Sequence, residues 1–176
     1  MLYVEQSLGP DEELVHIGNF HWFYTLQAFM AIFWGVVACV AVLGISVFAY
    51  IVFDQFPPNI SYIQGAAHIH PGLRICAFVA FVLGLLSFAQ MMVIKATTEI
   101  AITNTRLVYK RGLIARNVGE ISIDRIEGVN VLQSIMGRFF NFGRLAIRGM
   151  GIGEVLLPPI EDPIAFRKAI EQAKSI

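Results

Sequence analysis

Residues 97–131 read TTEIAITNTRLVYKRGLIARNVGEISIDRIEGVNV. Their polar and apolar residues alternate with the two-residue period of strands, not the 3.6-residue period of helices. Ile100 and Ile102 alternate with Glu99 and Ala101, and Leu107 and Tyr109 alternate with Arg106, Val108 and Lys110. Thr103, Asn104 and Thr105 form a turn between the two runs, because Asn104 tolerates a left-handed backbone. Arg111, Gly112 and Leu113 turn the chain again, and Ile121 and Ile123, then Val129 and Val131, continue the pattern. Yet this water-compatible stretch begins three residues after LRICAFVAFVLGLLSFAQMMVI, residues 73–94. No soluble protein exposes such a run, so a small β domain hangs directly off a membrane helix.

The composition supports that division. The chain is 56% apolar and 15% charged, with a mean hydropathy of +0.65, against about 45–50% and about 25% in ordinary globular domains. Nearly all of the apolar excess precedes residue 95. The net charge of zero hides an asymmetry: all 13 Lys and Arg residues lie at or after Arg74, and residues 95–176 hold 12 basic and 8 acidic groups. The first 22 residues carry Glu5, Asp11, Glu12 and Glu13 and no basic residue. A mild positive charge suits an anionic lipid surface and is too weak to imply nucleic acid.

From Phe23 to Phe53 there is no charged side chain, and about 20 apolar residues cross a bilayer. The expected organisation is a tail over residues 1–22, a transmembrane hairpin over 23–94 and a β domain over 96–176. Within the hairpin the spans cover about 26–53 and 73–94, joined by the loop 54–72. The acidic tail and the late, long apolar run argue against a cleavable signal. Trp22 and Tyr24 are typical headgroup-level anchors. Small residues recur at helical spacing: Ala31, Gly35 and Ala38 in the first span, and Ala77, Ala80, Gly84 and Ser87 in the second. Such faces let membrane helices approach closely, either each other or a partner's. Neither span carries an ionisable residue in its interior, so an ion pathway has no candidate residue. Two spans put both termini on one side, and the basic residues after Lys95 favour the cytoplasm.

Beyond residue 131, GRFFNFG (137–143) is a compact aromatic turn, and RLAIRG (144–149) and EVLLPPI (154–160) read as strands. Asp162 before Pro163 is a helix N-cap with proline at the first helical position. Phe166, Ala169, Ile170 and Ala173 then form one apolar stripe. The expected fold is α+β: a two-span helical hairpin, then an antiparallel β barrel or sandwich of six or seven strands capped by a C-terminal helix.

The stretch AITNTRLVYKRGLIARNVGEISIDRIEGVNVLQSIMGRFFNFGRLAIRG, followed by LLPPIEDPIAFRKAI, resembles the bacterial pleckstrin-homology-like (bPH2) membrane protein family. The matching positions are Thr103, Asn104, Arg106, Leu107, Gly112, Glu120, Ile126, Gln133, Ser134, Gly143, Asp162 and Pro163. Two spans and a short tail motif, Leu8 to Glu12, are also usual there. The resemblance implies a PH-like fold and an address in the bacterial inner membrane, with no catalytic residues to carry over.

Pleckstrin-homology domains that bind lipid headgroups use basic residues at early strand turns. The resemblance therefore singles out Arg106, Lys110, Arg111 and Arg116 as a lipid or partner surface, with an ordinary solvated hairpin as the alternative. Arg138, Arg144 and Arg148 are weaker candidates of the same kind. Phe139 and Phe140 are core if buried, and a protein contact or membrane-dipping loop if exposed. GMGIG (149–153) precedes a strand rather than a helix, so it is a hairpin turn and not a phosphate loop. His68 and His70 lie across the bilayer from His16 and His21 and cannot assemble a zinc site. Cys39 and Cys76 sit within apolar runs and form neither a disulfide framework nor a metal motif. The expectation is a non-enzymatic, cofactor-free interaction or assembly module, an accessory subunit or scaffold of an inner-membrane complex. Its partners are membrane lipids and membrane-protein subunits or a second copy. The alternative is an anionic-lipid sensor using the basic turn.

Overall fold

β2 (Glu99–Thr103) and β3 (Arg106–Arg111) form the hairpin that the alternation predicts, with Ile100 opposite Tyr109 and Ile102 opposite Leu107. β4 (Asn117–Ser122) adds to β3, setting Ile121 against Leu107. Residues 3–53, 69–112, 117–151 and 153–175 are described by this computed structural model. Contacts divide the chain into two units, residues 1–24 with 93–176, and residues 25–92.

The residues expected as a tail supply structure to the first unit. After the short helix α1 (Tyr3–Ser7), β1 (Leu14–Gly18) pairs antiparallel with β2, placing Gly18 opposite Ile100. The first sheet is therefore β1-β2-β3-β4. The helical pair, α2 (Trp22–Val52) and α3 (Pro71–Thr97), is inserted between two hydrogen-bonded neighbours. β1 escaped the period analysis because it buries no clean face: Leu14 and Val15 are both exposed.

A second sheet follows a short helical turn at Ile123–Arg125. It runs β5 (Ile126–Leu132), β6 (Phe142–Gly149) and β7 (Gly153–Leu156), with β8 (Ile160–Glu161) also paired to β6. The helical turn α4 (Ile135–Phe139) connects β5 to β6. The two sheets do not close into a barrel. Between them lies a core of Ile102, Leu107, Ile123, Leu145, Ile147 and Ile160, each at most 2% exposed. α5 (Pro163–Ala173) seals it with the expected stripe of Phe166, Ala169, Ile170 and Ala173. Asp162 caps this helix by accepting a hydrogen bond from the Ala165 amide at 3.2 Å. A smaller cluster covers the other side of β2 and β3, where Val4 of α1 packs on Ala101 and Val108.

In the second unit, both long helices are long and apolar enough to cross a membrane. α3 extends past its expected span by less than a turn at each end, whereas α2 begins four residues before the expected 26 and ends one short of 53. Gly35 and Gly84 bring the two backbones together. A Cβ on Gly84 would lie 2.9 Å from both the Gly35 Cα and the Ala31 carbonyl oxygen. Such closeness recovers dispersion energy that lipid tails do not provide. The hydroxyls of Ser46 and Ser87 donate to the carbonyls of Val42 and Leu83, so both are paired within their own apolar helices. Gly84→Leu should separate the helices and lower the thermal midpoint of the detergent-purified chain by several degrees. Gly44→Ala, which meets nothing within 4 Å, should leave it unchanged. Equal midpoints for Gly84→Leu and the parent would rule out the Gly35–Gly84 contact.

Candidate functional site

The residues marked by the TNTR turn hold the N-terminal segment in place. The Arg106 guanidinium grips Glu12 at both oxygens, with Nε to Oε1 and Nη2 to Oε2 each at 2.8 Å. Its Nη1 donates to Glu120 at 2.7 Å and its Nη2 to the Ser7 carbonyl at 2.7 Å. Glu12 also accepts from the Thr103 and Thr105 hydroxyls and the Gly9 amide. Asn104 finishes the join, donating to the Asp11 carbonyl and accepting from the Glu13 amide. Burial opposes the Glu12 charge, but Arg106, Gly9, Thr103 and Thr105 outweigh it and hold the carboxyl down at about 2. Glu12 in turn raises the Arg106 pKa. Arg106 thus serves the fold from within.

The other expected basic residues are scattered. Lys110 pairs with Glu99 on the adjacent strand at 2.7 Å. Arg111 is exposed, and Arg111 and Arg144 both lie within electrostatic reach of the Tyr24 phenol. Arg116 lies outside the described residues. Among the small residues, Gly35, Ala77 and Gly84 are buried and Ala31 and Ala80 half-buried, whereas Ala38 and Ser87 are exposed. Gly151 and Gly153 adopt φ of +76° and +77° in the β6–β7 hairpin, which suits the turn expected of GMGIG. His21 is buried, accepts from the Phe23 amide at 3.1 Å and stacks on Phe142. His16 meets Phe166 edge-on, and His70 accepts from the Gly72 amide. His68 lies outside the described residues.

The aromatic turn holds the most unusual surface. Ser134 caps α4, its Oγ accepting from the Gly137 amide at 3.1 Å. Gly137 is pressed so close to β6 that a Cβ would lie 2.5 Å from the Phe142 carbonyl oxygen. Gln133 donates to that same oxygen at 3.2 Å. These contacts fix which way the turn faces. Phe142 points inward, stacked on Phe23 with ring centroids 4.8 Å apart. Phe140 is 37% exposed and meets Trp22 edge-on at 5.7 Å. Ile135 and Phe139 are 89% and 83% exposed, with Met136 exposed between them. The sequence reading named Phe139 and Phe140 but missed Ile135 and Met136. Its available signal was Ser134 as N-cap of a helix too short to bury both faces.

A cavity of about 220 Å³ opens among Leu14, Ile17, Phe20, Lys95, Thr98 and Glu99. The Thr98 hydroxyl is buried at its wall and has no hydrogen-bond partner among the described residues.

A family model described as a bacterial PH domain matches residues 14–174. No curated protein and no solved structure matches the chain.

Two outcomes follow from the polar groups. The Glu12 carboxyl is depressed in the fold from an ordinary 4.5 to about 2. Its contribution is therefore complete above pH 4.5 and lost as pH falls toward 2. Glu12→Gln should cost about 2 kcal/mol at neutral pH and flatten the loss of stability across that window. An unchanged acid profile of the thermal midpoint would contradict this. Thr98→Val should stabilise the protein by about 1 kcal/mol, because an unpaired buried hydroxyl is removed with little change of shape. A lowered midpoint would show that the hydroxyl has a partner.

Proposed function

The chain belongs to the bacterial PH domain family, and we propose that it is a non-catalytic, membrane-anchored interaction and assembly module. In this reading it is an accessory subunit or scaffold of the bacterial inner membrane with both termini cytoplasmic. It joins other membrane-protein subunits or a second copy of itself.

The observation that carries this reading is the insertion of α2 and α3 between β1 and β2. Asn19, Phe20 and His21 alone separate β1 from α2, and Thr98 alone separates α3 from β2. At about 3.3–3.6 Å per residue, neither connection lets the sheet leave the helix ends. A domain tethered twice is suited to meeting what lies at the membrane surface, not to capturing soluble partners at a distance. Gly35 and Gly84 contact each other, so the reading assigns the partner contact to the exposed surface of the β domain.

A second reading, an anionic-lipid sensor, draws support from the exposed Arg111 and Arg144, both within electrostatic reach of the Tyr24 phenol. Each basic side chain near an anionic leaflet adds about 1 kcal/mol. Gentle extraction of the full-length chain, followed by intact-complex mass measurement, separates the two. A defined hetero- or homo-assembly that survives Arg111→Glu supports the module. A lone chain carrying one anionic lipid class, lost in Arg111→Glu, replaces it with the sensor. A lone chain without lipid sinks both.

A further inference from the structure

We infer that the α4 turn is a membrane wedge: Ile135, Met136 and Phe139 insert into the boundary between headgroups and acyl chains, beside the point where α2 enters the bilayer. This deepens the membrane-anchored reading and rests on it.

Three independent observations converge. The first is the size of the apolar surface that faces outward. Ile135 is 89%, Phe139 83% and Met136 60% exposed, and Leu132 and Trp22 are more than half exposed. Large apolar side chains this exposed, three of them on one short turn, mark a contact with something apolar. The second is that the outward pose is built in. The Ser134 cap, the tight approach of Gly137 to the Phe142 carbonyl and the left-handed Asn141, with φ of 56°, fix the turn at both ends. These contacts hold the backbone of the turn in the pose from which Ile135 and Phe139 project outward.

The third observation selects the occupant. Phe140 touches Trp22, the first residue of α2, and stacks with Phe23 at 6.2 Å. α2 has 31 residues and so is about 46 Å long, against about 40–45 Å for a bilayer with its headgroups. Its first turn, with Trp22 and Tyr24, therefore falls in the headgroup layer where such side chains concentrate. The turn that touches Trp22 lies at the same depth. Arg138, exposed on the same turn, suits the anionic headgroups there. The wedge thus extends the apolar surface of α2 sideways, in the manner of an interfacial helix.

The test uses full-length protein in vesicles of phosphatidylethanolamine and phosphatidylglycerol. A single environment-sensitive fluorophore is attached at Phe139→Cys, with Cys39 and Cys76 replaced by alanine. The expected result is blue-shifted emission and quenching by nitroxide-bearing lipids, neither of which occurs at Lys168→Cys on the exposed side of α5. Ile135→Cys provides a second position should Phe139→Cys fail to fold. A separate Cys39→Ala variant that keeps native Cys76 in α3 as its label site reports the span itself. Quenching at Cys76 without quenching at 139 or 135 overturns the wedge alone. No quenching at Cys76 overturns the membrane anchor as well. A shift at 139 that appears only in native membranes and resists lipid quenching assigns the turn to a protein contact and also overturns the wedge.

Discussion

Arg106 holds two carboxylates and a backbone carbonyl at once, and the β domain depends on that grip. Glu12 precedes the two long apolar helices and Arg106 follows them, 94 residues apart in the chain. The pair joins the segment before the helical insertion to the strands after it. Its side chains are 7% and 25% exposed, so water neither solvates the carboxylate well nor screens the interaction strongly. Removing either partner would strand a charge, which is why such pairs are costly to break even when their net contribution is modest. The threonines and Asn104 around it satisfy the remaining lone pairs and donors. With the join made, α1 can cover Ala101 and Val108, and β1 can complete the first sheet.

The same economy explains why Arg106 and Lys110 of β3 offer little free charge. Arg106 and Lys110 both neutralise carboxylates on neighbouring segments. A headgroup competing for them would have to displace partners already held at about 2.7–2.8 Å. Arg111 and Arg144 are exposed, as are the apolar side chains of α4. Phe140 meets Trp22 at the start of α2, and Arg111 and Arg144 lie within electrostatic reach of Tyr24.

Sequence alone determined the elements whose period is long or whose termini are marked. The alternation of Ile100, Ile102, Leu107, Ile121 and Ile123 set the core face of the first sheet, Asp162 and Pro163 set the start of α5, and the uncharged runs set the two long helices. In each case local spacing dictates which side chains share a face. Tertiary structure decided the rest. LVHIG is too short and too exposed to announce a strand, and only pairing with β2 makes it one. Arg106 reads as a free surface cation until Glu12 arrives from 94 residues away. Phe139 and Phe142 belong to one aromatic cluster in the sequence, yet one faces out and the other in. The cap at Ser134 and the crowding at Gly137 make that choice. Pairing partners across a long insertion, and the direction of a tight turn, depend on contacts between distant residues, and local periodicity carries no record of them.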